Sequence, residues 1–427
     1  MERVQQRRNL EAGNTVNQKK ELMKSKSLNL CFGLLAATLA GCGGSNDNPP
    51  PTGVRAALTD APACGYDHVF VTVSKAQINT RTDGSGSWVD IALASPQKID
   101  LLGLTNGALE SLGEAALPAG SYQQLRLVLL PNVQGAATLN NSVVPSGQTA
   151  EVALKTPSAA ESGIKVNTRG PFTVAAGTLV DLVLDFNACK SIVTTGRAKG
   201  GNTHSATGFL LKPVITATPE VVSGAIDGYV DAADATTTSG GVAVPGAQVF
   251  AEQNGVVVRG TVADATGHFV LSPLEQSSGA GNYDVVIVNN GKAADVVSGV
   301  PVAAQATTTL STAAAPFTLA ASPTGTVSGT VNAAANASLV ASQTLNGLSY
   351  AVAQTNADSS TGAYDFTLPT AAPQLAPYAP LPIVPAPVAA AAGQYIVSAT
   401  SDSGNTATAP ATVTAGATTT VDFPGLQ

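Results

Sequence analysis

The chain is poor in nearly everything from which a catalytic centre is built. Of its 427 residues only 4% are aromatic and 11% charged, with three histidines, four cysteines and a single tryptophan, Trp88. It contains no G-x-S-x-G elbow, H-E-x-x-H, Walker loop or C-x-x-C, which argues against the common serine hydrolases, zinc proteases, nucleotide hydrolases and dithiol oxidoreductases. Ser95-Pro-Gln-Lys98 fits S-x-x-K by spacing, but Pro96 disfavours the helix on which such a nucleophile and base would sit. His68, His204 and His268 lie in separate stretches without a second histidine at ligand spacing, and read as surface or turn residues rather than as a metal site or triad. No segment keeps a long 3.6-residue apolar period, which leaves little room for helix.

What the chain does have is Ala, Val, Thr, 42 glycines and 26 prolines, the composition of many short strands joined by tight turns. Period-two alternation marks strands at Val69/Val71/Val73, at Leu125/Leu127/Leu129 and at Val180/Leu182/Leu184/Phe186. Ile99–Leu104 with Ala108–Leu117 is the one place where a short helix is expected. The fold class is therefore mainly β: an N-terminal mostly-β domain with at most one or two short helices, then two tandem β-sandwiches.

Near the N-terminus an apolar run, Leu28–Gly41, follows Lys24 and Lys26 and ends in L-A-G-C at Cys42. This resembles the signal and lipobox of bacterial lipoproteins. The resemblance implies removal of residues 1–41, acylation of Cys42, and a membrane partner reached through that lipid anchor. Residues 1–22 lie upstream of a compact signal opening at Met23, and translation is expected to start there. Gly43 in the position after the lipobox cysteine favours the outer membrane, and residues 42–53 read as a flexible tether. Removing residues 1–41 takes away seven of the 21 Lys and Arg and three of the 28 Asp and Glu, leaving a formal net of −11. Nucleic acid is an unsuitable partner for such a chain. From Glu220 onward, Arg259 and Lys292 are the only cations. Cys64 and Cys189 remain as an ordinary pair, expected to form a disulfide in an oxidising envelope, worth ~4 to 5 kcal/mol in the chain-entropy model.

The ordered set T-D-A-P (59–62), V-T-V (71–73), I-D-L-L-x-L (99–104), A-G-S-Y-x-x-L-R-L-V-L (119–129), S-G-I-K (162–165), L-D-F (184–186) and L-L-K-P-V-I (210–215) resembles the domain-of-unknown-function 4382 family of bacterial lipoproteins. The resemblance implies a mostly-β domain over 54–218 and no reaction. Two later segments, 219–322 and 323–427, repeat one another. Val222-Ser-Gly returns as Val327-Ser-Gly, Asp264-Ala-Thr-Gly-His-Phe returns as Asp358-Ser-Ser-Thr-Gly-Ala-Tyr, and both close on a Thr-rich strand, 307–310 and 418–421. Their layout resembles carboxypeptidase-regulatory-like, or transthyretin-like, β-sandwiches. In the shared hairpin, Asp264 is expected to hold the turn, Gly267 to take positive φ and Phe269 to return to the core. The Pro-rich insert 370–392 of the second copy is expected to run as a polyproline-II or disordered surface loop.

Five charged residues within the first domain's motifs, Asp60, Arg126, Lys165, Asp185 and Lys212, are expected either to pair in a structural network or to line a polar pocket. Asp227, Asp231 and Asp234 form a weak calcium candidate that departs from EF-hand spacing, and solvated carboxylates are the competing reading. Core packing is favoured for Trp88 over an exposed sugar platform. No cofactor is called for. The favoured function is a non-enzymatic, lipid-anchored envelope scaffold whose two sandwiches project outward as spacers or an assembly surface. A glycan- or peptide-binding module is the alternative, and an envelope hydrolase a third, less favoured class.

Overall fold

The computed structural model describes residues 52–427 apart from 62–64, 92, 158, 160, 199–204 and 240–241, with backbone alone at 61, 236–239 and 242–245. The described residues all fall in one compact unit. Among the described residues the chain is mainly β, with two four-residue α-helices, Ala188–Ser191 and Ala232–Ala235. The signal segment, Cys42 and Cys64 lie outside the described residues.

In the N-terminal part, strand Gly53–Ala61 pairs in parallel with Leu179–Asn187 and antiparallel with Glu110–Ala116. A larger sheet is organised around the long strand Tyr66–Asn79. The three sequence alternations point into one core: Val69, Val71, Val73, Leu125, Leu127, Leu129, Leu182, Leu184 and Phe186 are all buried there. The expected helix is absent. Gln97–Asp100 is a strand, Leu101–Leu104 a single 3-10 turn capped by Asp100, and Glu110–Ala116 a strand. Glycines at 103, 107 and 113 deny a helix its interior, and the buried Leu112 instead sits at a β-bulge, without a register partner of its own, beside Gly53–Ala61.

The two repeats share a topology. In the first, strand Ser223–Tyr229 pairs antiparallel with His268–Glu275 and parallel with Thr307–Thr309. In the second, Thr324–Thr330 pairs antiparallel with Ala363–Pro369 and parallel with Thr418–Thr420. Each three-stranded sheet faces a second sheet, giving both repeats β-sandwich character. The shared hairpin is built as its residues dictate. Gly267 (φ +87°) and Gly362 (φ +70°) bring the turn so close to the neighbouring strand that a Cβ would lie 1.9 Å from the Val230 carbonyl oxygen and 2.0 Å from that of Val331. Phe269 and Tyr364 then return to their cores, fully buried.

The Pro-rich insert departs from expectation. Gln374–Pro377 pairs in parallel with Asp295–Val300 of the first repeat, and Ala376 and Ile383 join that repeat's core. Pro377 lacks a donor, but the flanking Gln374 and Tyr378 N–H groups bond the carbonyls of Ala294 and Ser298 at 2.8 Å each. The insert thus extends a sheet whose edge would otherwise be bare. The repeats also share a core, because Phe250, Val286 and Val296 of the first pack with Val352, Tyr350 and Leu339 of the second.

Candidate functional site

The densest constellation of buried charge lies where the N-terminal part meets both repeats. Strand Leu179–Asn187 is buried on both faces: Leu184 and Phe186 enter its own core, while Asp185 on the other face meets Arg259 of strand Val256–Val262. The two side chains are 5% and 4% exposed, with Nη1 2.7 Å from Oδ1, and Arg259 Nη2 also donates to the Pro273 carbonyl at 3.2 Å. Burial pushes Asp185 up and Arg259 down from their ordinary pKa ranges, each opposed by the partner's charge. Nearby, burial also lowers Lys190, against the pull of Asp185 and Glu252.

Glu252 is fully buried between the repeats, where it accepts a hydrogen bond from the Ala351 N–H at 3.0 Å; burial pushes its carboxyl up to about 8. A little further along the same seam, Asn106 clasps the first repeat's hairpin. Its side chain accepts from Val270 N–H at 2.5 Å and donates to the His268 carbonyl at 3.2 Å.

The second repeat's hairpin is held more broadly. Buried Asp358 accepts hydrogen bonds from the backbone N–H groups of Arg197 (2.7 Å) and Gly196 (3.0 Å) as well as from Ser360 and Thr361 in its own turn. Burial works to raise this carboxyl, but those donors hold it at about 2. Arg197 Nη1 reaches Asp365 Oδ1 at 2.6 Å, and Nη2 donates to the Ala363 carbonyl at 3.0 Å. Asn356 Nδ2 donates toward three carbonyls of the N-terminal part, Cys189, Lys190 and Ile192, at 3.0–3.2 Å. The repeats therefore pack against the N-terminal part through buried polar contacts.

The sequence-derived candidates divide accordingly. Asp60 and Asp185 both lie at this junction, Asp60 Oδ1 accepting from the Ala188 N–H at 3.1 Å. Arg126 and Lys165 sit opposite each other on neighbouring strands, Lys165 exposed. Lys212 pairs with Asp402 and donates to the Asn336 carbonyl at 2.9 Å. The five do not form one network, because their strands present them to different neighbours. Arg126 bonds Gln77 at 2.6 Å and lays its guanidinium 4.1 Å over the Trp88 ring. Trp88 is consequently half-buried under a cation, neither core residue nor open platform.

The calcium candidate does not assemble. Asp231 caps the following turn at Ala233 N–H, Asp227 lies 3.9 Å from His268, and Asp234 is paired with Lys292. Among the described residues no group of three or more His, Cys, Asp or Glu could hold a metal ion. His68 Nδ1 contacts Asp100 at 2.7 Å, and His204 lies outside the described residues. Lys98 is on a strand and pairs with Glu151 at 2.9 Å, so the S-x-x-K spacing has no helical frame. Cys189 is disulfide-bonded; its expected partner, Cys64, lies outside the described residues. A cleft of about 740 Å³ opens between Thr178–Asp181 and Ser223–Ala225, with Asp181 and Glu220 as its charged groups and no aromatic in its lining.

No curated protein matches the chain in sequence. Among solved structures, a chain of a type II cohesin–X-dockerin complex from Acetivibrio cellulolyticus aligns at 20% identity and TM-score 0.18, covering 23% of this chain and 59% of that one, so this chain spans less than two thirds of it. The major pilin subunit of Bacillus cereus aligns at 12% identity and TM-score 0.14, over 88% and 99% of the two chains. A streptococcal ancillary pilin does so at 10% and 0.14, over 87% and 99%. At scores this low none of these likenesses establishes a shared fold. Residues 52–213, by contrast, match a protein family described as a domain of unknown function, DUF4382.

Proposed function

We propose that this protein is a lipid-anchored component of a bacterial cell envelope that acts as a non-catalytic scaffold, held at the outer membrane through Cys42. The observation that carries the reading is the three-way junction: the N-terminal part is bound to both repeats by buried charge, with Asp185–Arg259 on one side and Arg197 with Asp358 and Asp365 on the other. Such a body presents fixed surfaces and suits holding or docking better than a hinged reaction cycle. Its edge strands, among them Thr406–Thr412, offer backbone groups to an envelope protein, and a glycan remains the alternative partner. Trp88 gives little support to the glycan reading, since Arg126 already covers its ring. The removal of residues 1–41, the tether at 42–53 and a Cys64–Cys189 bridge belong to the same proposal.

The test is to feed cells a labelled fatty acid and fractionate them. The native chain should carry the label in the membrane fraction, and Cys42→Ala should be unlabelled and released. A Cys42→Ala chain held as firmly as the native one would overturn the anchor.

A further inference from the structure

One cluster in the first repeat is unused by the junction. Asp234, in the helical turn Ala232–Ala235, and Lys292, in the turn between strands Tyr283–Val288 and Asp295–Val300, meet as an ion pair. The Asp234 side chain is 4% exposed and that of Lys292 28%. Asp234 Oδ1 faces the amine, while Oδ2 accepts the Leu319 N–H at 2.8 Å. Two further buried polar residues, Asn289 and Asp295, neighbour Asp234. Asp295 is 2% exposed with Oδ1 unpartnered, and Asn289, which donates to the Asp234 backbone carbonyl at 2.6 Å, has its own Oδ1 buried and unpartnered. The surroundings are apolar: Val230, Ala235, Ala293, Phe317 and Leu319 are all buried.

We propose that Lys292 and Asp234 are the partners of an intramolecular amide cross-link, with Asp295 carrying the proton between them. The ammonium and carboxylate of this pair contain the atoms of one amide and one water. The Lys292 nitrogen attacks the Asp234 carboxyl carbon, a C–N bond forms, and the C–O bond to Oδ1 breaks. The two protons lost by nitrogen leave with that oxygen as water, relayed by the Asp295 carboxyl, and no oxidant or other reactant is needed. Leu319 N–H is placed to stabilise negative charge gathering on Oδ2. Burial, and after it the charge of Asp234, raises Asp295 to about 7, where a carboxyl can both give and take a proton. Fixed juxtaposition replaces a bimolecular encounter. The apolar surroundings favour a neutral amide over two desolvated charges.

The chain supplies a direct readout, because Lys292 is the last lysine or arginine in the sequence and trypsin does not cut after an acylated lysine. The full-length protein, denatured, reduced and digested, should show no cleavage after Lys292. It should also yield the peptide containing Asp234 joined to the one containing Lys292, lighter by one water than the two together. Asp234→Ala should restore complete cleavage. Asp295→Asn should lower the linked fraction at least tenfold while the circular dichroism stays native; a linked fraction unchanged in folded Asp295→Asn would remove Asp295 from the chemistry. Complete cleavage after Lys292 in the native protein would reduce the site to an ion pair and overturn the proposal, whatever the variants do.

Discussion

The two seams that hold the N-terminal part to the repeats solve one problem by opposite means. Against the first repeat the buried charge concentrates in a single dry ion pair, Asp185–Arg259, in which the Arg259 Nε is left without a hydrogen bond, while the uncharged Asn106 clasps the hairpin beside it. Against the second, charge is spread over backbone donors: Asp358 alone takes hydrogen bonds from four N–H groups, and Asn356 bridges three carbonyls. The first arrangement fixes one point at high desolvation cost, and removing either partner strands a buried charge. The second tolerates the loss of individual bonds, since each contributes only about 1 kcal/mol.

The contrast can be broken from its strong end first. Arg259→Ala should cost about 3 to 5 kcal/mol, because Asp185 remains buried without a cation; denaturant unfolding of the full chain measures it, and a loss below 1 kcal/mol would mean that the pair adds nothing to the seam. Asp358→Asn should cost less, about 2 kcal/mol at neutral pH. Its dependence on acid is the sharper signature. The folded carboxyl lies near 2, below its unfolded range, so its contribution is complete above about pH 4 and disappears as the pH falls through 2. Melting curves of the native and Asp358→Asn chains should accordingly converge in acid, and a constant separation down to pH 2 would contradict the assignment. Lys212→Ala, which breaks the exposed pair with Asp402 at the rim of the same seam, should change stability by less than about 0.5 kcal/mol.

The strands were legible because alternating Val and Leu at period two leaves no other way to bury one face, and the Asp-x-x-Gly hairpins because only glycine fits beside Val230 O and Val331 O. The segment 108–117 was not legible: its apolar residues are few, and pairing with Gly53–Ala61, more than fifty residues away, decides its conformation. The Pro-rich insert misled for a related reason, since prolines cannot show that the residues between them will find a bare edge. At the junction, the sequence exposed Asp60 and Asp185 through their motifs but missed Arg259, Arg197, Glu252 and Asp358, whose partners lie far away in sequence. One signal was present. Arg259 and Lys292 stand as lone cations in a long acidic stretch, and each contacts a carboxylate that is at least nine-tenths buried.

The strand Gln374–Pro377 has a consequence for how the molecule is made. A polypeptide synthesised from its N-terminus delivers Asp295–Val300 well before the segment that will cover it. Until residue 377 has emerged, the earlier sandwich stands with an open flank, exposed to any passing β-chain. Closure is therefore deferred until about half of the second repeat is out, so the first repeat's sheet is completed only with a segment of the second.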